Sequence, residues 1–167
     1  MENEIRRVRP DDWAALRDVR LAALADAPYA FMSTLESEEG YDERRWREWI
    51  TRTVFFLAWD GDRPVGVVGG FGLEDGGWHV ISMWVCAQLR GTGVADRLID
   101  AVAQHAHAKA APALTLWVTD GNDRARAFYE RAGFRGTGKR QPVRPDTPQD
   151  WEEEMIRNLA AAVSHTS

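Results

Sequence analysis

The segment Met83-Trp84-Val85-Cys86-Ala87-Gln88-Leu89-Arg90-Gly91-Thr92-Gly93-Val94-Ala95 joins an apolar stretch, two glycines one residue apart and the start of an amphipathic run. It reads as a strand, a turn and a helix start. The first turn of a helix leaves backbone N–H groups unpartnered and carries partial positive charge. Glycines there let a phosphate approach the backbone, so the geometry suits a pyrophosphate, and Arg90 adds a formal charge. Two better-known anion loops do not fit. A dinucleotide fingerprint, GxGxxG/A, needs a small residue where Asp96 stands, and a carboxylate would oppose the phosphate. The run Gly133-Phe134-Arg135-Gly136-Thr137-Gly138-Lys139-Arg140 comes within one residue of a P-loop. Arg140 cannot supply the hydroxyl that holds Mg²⁺, and Gln141-Pro142 follows where a helix should begin.

The elements that must position this loop follow from patterning. Ile5–Arg9 makes a short strand, and Pro10-Asp11-Asp12 a turn and cap before a helix over Trp13–Ala25. Asp26-Ala27-Pro28 stops it. Tyr29–Tyr41 reads as loop, and Asp42 caps a second helix through Arg52. Val54–Trp59, Val65–Phe71 and Trp78–Val85 read as strands around turns at Asp60-Gly61-Asp62 and Leu73–Gly77, the middle one loosened by glycines. A long helix runs from about Thr92 to Lys109. Ala113–Val118 is a fifth strand, Asn122–Ala132 a further helix ended by Gly133, and Phe134–Thr137 and Glu152–Asn158 the last strands, joined by the loop Arg140–Gln149. The expectation is one mixed α/β domain over 1–167, with a frayed tail at 160–167.

Composition bounds the function. The chain has 167 residues, 44% hydrophobic and 28% charged, with 21 Lys+Arg against 26 Asp+Glu and a formal charge of −5. It can bury a core, and its acidic balance argues against a nucleic-acid partner. One cysteine, Cys86, excludes a disulfide framework and reads as a packing residue. His105 and His107 do not share a helix face, so no metal site is expected. No run approaches the ~20 apolar residues of a membrane span, and the N-terminus lacks the apolar core of a signal peptide. No membrane association and a cytoplasmic location are expected.

The loop meets the pattern Gln/Arg-x-x-Gly-x-Gly/Ala through Gln88, Gly91 and Gly93. Downstream, Asn122-Asp123-Arg124-Ala125-Arg126-Ala127-Phe128-Tyr129-Glu130-Arg131-Ala132-Gly133-Phe134 resembles the NxxAxxxYxxxGF segment of the GNAT superfamily of acyl-CoA-dependent N-acetyltransferases. The element order is similar too, so the resemblance covers roughly residues 4 to 158. It implies a mixed seven-stranded sheet flanked by helices, with the fourth and fifth strands splayed around pantetheine. It assigns backbone bonds to pantetheine to Met83, Trp84 and Val85, and the pyrophosphate to Leu89, Arg90, Gly91, Thr92, Gly93 and Val94. It places Asn122 on the pantetheine arm and Arg131 near the nucleotide phosphate. It also gives the oxyanion to the Val85 N–H and protonation of the departing thiolate to Tyr129.

The resemblance implies acetyl-CoA as co-substrate and no metal. The reading is an N-acetyltransferase acting on a primary amine of a small molecule by direct attack in a ternary complex. A protein or peptide Nα-acetyltransferase and a non-catalytic acyl-CoA sensor are the alternatives, and a homodimer is compatible. The Arg140–Gln149 loop should close over a small ligand and stay open for a peptide. Many relatives carry a glutamate as general base on the fourth or fifth strand, and this chain has none there. His79, Asp120, Glu36 and water stay open as the base. Asn122 also reads as a plain helix cap, and Tyr129 as a core aromatic. Most of the eight tryptophans should be core. Trp46 or Trp49 lies beside the loop that flanks the acceptor in this family. The acidic cluster Glu36, Glu38, Glu39, Asp42, Glu43 reads as a solvated face or as an attractor of a cationic acceptor.

Overall fold

A computed structural model describes residues 3–28 and 31–159. In chain order the elements are β1 (Glu4–Arg7), a 3-10 turn (Pro10–Asp12), α1 (Trp13–Asp26), α2 (Leu35–Glu39), α3 (Glu43–Arg52), β2 (Val54–Asp60), β3 (Arg63–Gly72) and β4 (Trp78–Val85). A second 3-10 turn (Ala87–Leu89), α4 (Val94–Ala108), β5 (Ala113–Thr119), α5 (Asp123–Arg131), β6 (Arg135–Pro142) and β7 (Trp151–Asn158) follow. The strands hydrogen-bond in the order β1-β2-β3-β4-β5-β7-β6, and the β4–β5 pair is parallel. This is the mixed seven-stranded sheet with flanking helices expected from the sequence. The chain divides into two compact units, the first running up to Phe71 and adding Val80–Val102, the second holding Gly72–His79 and the residues from Ala103 on.

In the first unit, α1 and α3 each lay an apolar stripe on β2, β3 and the residue after β1. Leu16 and Val19 of α1 and Trp46 and Ile50 of α3 meet Val8, Phe55, Leu57 and Val67 in one buried cluster. Asp42 caps α3 by accepting from the Arg45 N–H at 2.9 Å, as the sequence indicates. The glycines of β3 serve close packing: a Cβ on Gly69 would sit 2.7 Å from the Phe55 ring, and one on Gly66 3.1 Å from Leu98.

In the second unit, β5 pairs antiparallel with β7 from Ala113↔Asn158 to Thr119↔Glu152. The β4–β5 ladder holds two pairs, Trp78↔Leu114 and His79↔Thr115. Leu114, Leu116, Val118, Phe134 and Met155 are buried. Asn122 caps α5, its side-chain oxygen accepting from the Ala125 N–H at 3.3 Å. Gly133 ends α5 with φ +97°, a left-handed turn that a side chain would strain.

Three expectations need correction. The Tyr29–Tyr41 stretch contains α2, because Thr34 caps a short turn by accepting from the Ser37 N–H at 3.2 Å. β6 does not stop at Thr137 but runs to Pro142 through a bulge between Gly136 and Arg140, so the connection to β7 is shorter than expected. Of the tryptophans, only Trp46 is fully buried among the described residues, and Trp151 is exposed. The P-loop-like run becomes this bulged strand, and the Gly138 N–H donates to the Glu153 carboxylate at 3.2 Å. The expected frayed tail lies outside the described residues.

Candidate functional site

The glycine loop lies in the first unit. Within β4, Ser82 holds a left-handed φ of +60°. A non-glycine residue in this region is strained and persists where its surroundings hold it. Arg20 of α1 anchors it, donating from Nη1 to Ser82 Oγ at 2.9 Å. Beyond Val85 the chain is pinned by the Cys86 N–H to the Val65 carbonyl at 2.9 Å. It then turns through Ala87–Leu89 into α4, whose first N–H groups have no acceptor within the helix.

Gly91 and Gly93 have φ +80° and +93°, and a Cβ on either would meet nothing within 4 Å. The glycines are needed for the left-handed backbone, and the space above them is open. α4 is a 15-residue helix, long enough for its dipole to favour an anion at this end. Met83, Trp84 and Val85 end β4, and Leu89, Arg90, Gly91, Thr92, Gly93 and Val94 run from the second 3-10 turn into the first residue of α4.

Arg90 is engaged within the protein. Its Nε donates to the Val85 carbonyl at 3.1 Å and its Nη2 to Asp26 Oδ2 at 2.6 Å. Trp84 Nε1 donates to the same carboxylate oxygen at 2.9 Å. The indole N–H and the guanidinium hold the Asp26 carboxyl below its ordinary value of 3.8. Asp26 was legible only as a helix stop; no local pattern links it to residues 84 and 90.

The acidic cluster is smaller than it reads. Glu38 is 1% exposed and takes two bonds from Arg20, at 2.8 and 2.9 Å. The Arg20 guanidinium also lies 4.7 Å from the Phe31 ring and 5.3 Å from the Trp49 ring. Glu43 faces Arg47 at 3.8 Å, and Asp42 is spent as a cap. Glu36 and Glu39 remain exposed. Trp46 is core, and Trp49 packs edge-on to Phe55 at 5.1 Å.

Asn122 and Tyr129 lie in the second unit, on one helix and its cap. Tyr129 is buried, with its ring edge-on to Phe128 at 5.3 Å and Phe134 at 5.6 Å. Burial pushes its phenol well above 10 and keeps it protonated. Among the base candidates, Asp120 is ion-paired with Arg140. His79 Nδ1 bonds Thr115 Oγ1 at 2.8 Å, and burial lowers its affinity for a proton below the ordinary 6.5. Glu36 is exposed on α2. Glu152, buried and bonded by Gln141 Nε2 at 2.7 Å, is a raised carboxyl the sequence did not single out. Among the described residues no group of three or more His, Cys, Asp or Glu could hold a metal ion. No helix among them is long and apolar enough to cross a membrane.

The model of the acetyltransferase (GNAT) family matches residues 19–134. Similar solved structures include an acetyltransferase of the GNAT family from Streptococcus pneumoniae, at TM-score 0.78 and 17% identity over 94% of this chain and 99% of that one. The PaiA N-acetyltransferase of Thermoplasma acidophilum, in complex with coenzyme A, reaches 0.74 and 16% over 95% and 99%. An aminoglycoside 6′-acetyltransferase type Ii reaches 0.71 and 18% over 95% and 98%. No curated protein sequence matches the chain.

Proposed function

Because the chain belongs to the acetyltransferase (GNAT) family and is an acetyl-CoA-dependent acetyltransferase, we propose that it acetylates a primary amine of a small molecule by direct attack in a ternary complex. One observation carries the cofactor half of this reading: Gly91 and Gly93, in left-handed conformation with open space above them, at the start of α4. Leu89 to Val94 would hold the pyrophosphate mainly through backbone N–H groups, and Met83, Trp84 and Val85 would pair with pantetheine. The aminoglycoside acetyltransferase among the structural neighbours supports a small amine acceptor.

The chemistry sets three demands. The attacking amine must be neutral, while amines of the lysine type have a pKa near ~10.4, so a proton leaves before or during attack. The oxyanion that forms needs a donor, and the Val85 N–H fills that role. The departing thiolate, whose acid has a pKa near ~8.5, takes a proton from the Tyr129 hydroxyl. Burial leaves the Tyr129 hydroxyl protonated and able to donate a hydrogen bond to the departing sulfur, while the raised phenol makes complete proton transfer harder than from a free tyrosine. Asp120 is ion-paired with Arg140, and burial keeps His79 neutral, so the amine's proton has His79, Glu36 and water as acceptors. A homodimer and a cytoplasmic setting are compatible with this chemistry and not required by it.

Coenzyme A at ~100 Kd should stabilise the fold by ~2.7 kcal/mol. For a chain of this size that raises Tm by roughly 5–10 °C. Gly91→Ala should abolish the shift. Gly61 also has a left-handed φ, +59°, with nothing near its Cβ, but it sits in the β2–β3 turn. Gly61→Ala therefore costs a similar ~1–2 kcal/mol of backbone strain and should leave the shift intact. An undiminished shift in Gly91→Ala would refute the pyrophosphate assignment.

A further inference from the structure

Asp26 sits where local physics disfavours it. It is the last residue of α1, where the helix dipole opposes a negative charge. It lies beside a loop whose proposed ligand is an anion, which its charge would also repel. Both costs are offset by the same contacts. Asp26 Oδ2 accepts from Arg90 Nη2 at 2.6 Å and from Trp84 Nε1 at 2.9 Å, while Arg90 Nε closes onto the Val85 carbonyl at 3.1 Å. One carboxylate thus binds the residue before Gly91, the penultimate residue of β4 and, through the main chain, the end of α1.

The surrounding packing makes this clasp rigid at one end. The Trp84 ring packs against Ala23, Leu24 and Phe31 in one cluster and against the α1–α3–sheet cluster in another. Six residues earlier on α1, Arg20 reaches Ser82 of the same strand and both carboxylate oxygens of Glu38 on α2. α1 is therefore tied to β4 at two points and to α2 at one.

We infer that Asp26 is a positioning residue that, through Arg90 and Trp84, locks the glycine loop to the end of α1 and so couples it to segment 31–41. The coupling follows from connectivity: the chain leaving Asp26 enters that segment within a few residues, and Arg20–Glu38 holds the segment to the same helix. Binding of coenzyme A at the loop fixes Arg90, Arg90 fixes Asp26, and the end of α1 is held with them. This inference rests on the pyrophosphate assignment proposed above.

Calorimetric titration with coenzyme A and hydrogen exchange on the full chain test it. In the unaltered protein, coenzyme A should protect both 89–94 and 31–41. Asp26→Asn is nearly isosteric, and the side chain is 42% exposed, so the fold should hold, with a melting curve as control. The variant should bind coenzyme A about 5–10-fold more weakly, at the low end of couplings between sites. Protection of 31–41 should vanish while that of 89–94 remains. The sign is decisive, because removing a negative charge beside an anion site would by itself tighten binding. Trp84→Phe keeps the Asp26–Arg90 pair and the ring packing, so it should show the same changes to a smaller degree. Equal or tighter binding in Asp26→Asn, with 31–41 still protected, overturns the inference. If the unaltered chain does not bind coenzyme A at all, the cofactor reading fails first, and Asp26 is not what failed.

Discussion

The Tyr129 ring lies edge-on to Phe128 and Phe134, and burial raises its phenol, so the proposed donor is protonated but gains no acid strength from its surroundings. Tyr129→Phe keeps the ring and its packing and removes the hydroxyl, so stability should change by no more than about 1 kcal/mol. The expected loss is in kcat, toward the lower end of ~10²–10⁴-fold, because a thiolate is already a fair leaving group. KM for acetyl-CoA should move much less. Steady-state kinetics with melting curves check this, and near-normal kcat in the variant would return Tyr129 to the core. Residues whose role depends on local spacing were legible in the sequence. Gly91 and Gly93 stand one apart before a helix, and Asn122 stands three before the N–H it caps. Asp26, Arg20 and Ser82 were not legible, because their contacts join residues 58 to 64 positions apart and leave no periodic trace.

At the scale of elements, the buried Arg20–Glu38 pair joins α1 to α2 between the rings of Phe31 and Trp49. Two charges withdrawn from water gain little net stability, but removing one partner leaves the other uncompensated. Glu38→Ala should therefore cost about 3–5 kcal/mol, while exposed Glu39→Ala should cost almost nothing. Thermal or urea unfolding of the two variants makes the comparison, and equal effects would mean that the pair does not fix α2. Sequence periodicity found the long elements and β4 to the residue. It missed α2 because five residues are too short for a periodic signal, and it cut β6 short because the bulge between Gly136 and Arg140 interrupts the strand's alternation. Glycine is there because the bulge folds back on Glu153: a Cβ on Gly136 would lie 2.5 Å from that carboxylate.

Over the whole molecule, titration sets how stability depends on pH. His79 binds its proton more weakly folded than unfolded, so the unfolded chain takes it up first and stability falls as pH drops below about 6.5. Asp26 and Glu153 are held below their ordinary 3.8 and 4.5 by Trp84 with Arg90 and by Arg126, so their contributions persist above those values and are lost on further acidification. Glu152 is raised by burial and acts in the opposite sense, gaining as pH falls past its folded value. Melting temperatures across pH should show a shallow decline from about 6.5 and a steeper one below about 4. His79→Gln should flatten the first. Near α2 the acidic surface is reduced, since Glu38 is paired with Arg20 and Glu43 faces Arg47, which leaves Glu36 and Glu39 exposed.

The most direct test of the central claim is thiol release from acetyl-CoA against a panel of polyamines, amino acids and aminoglycosides, with the mass of each product measured. The expected result is release with at least one small primary amine, a product heavier by one acetyl group, and slow release by Tyr129→Phe. Coenzyme A binding without release for any amine, or acetyl transfer confined to peptide N-termini, would contradict it.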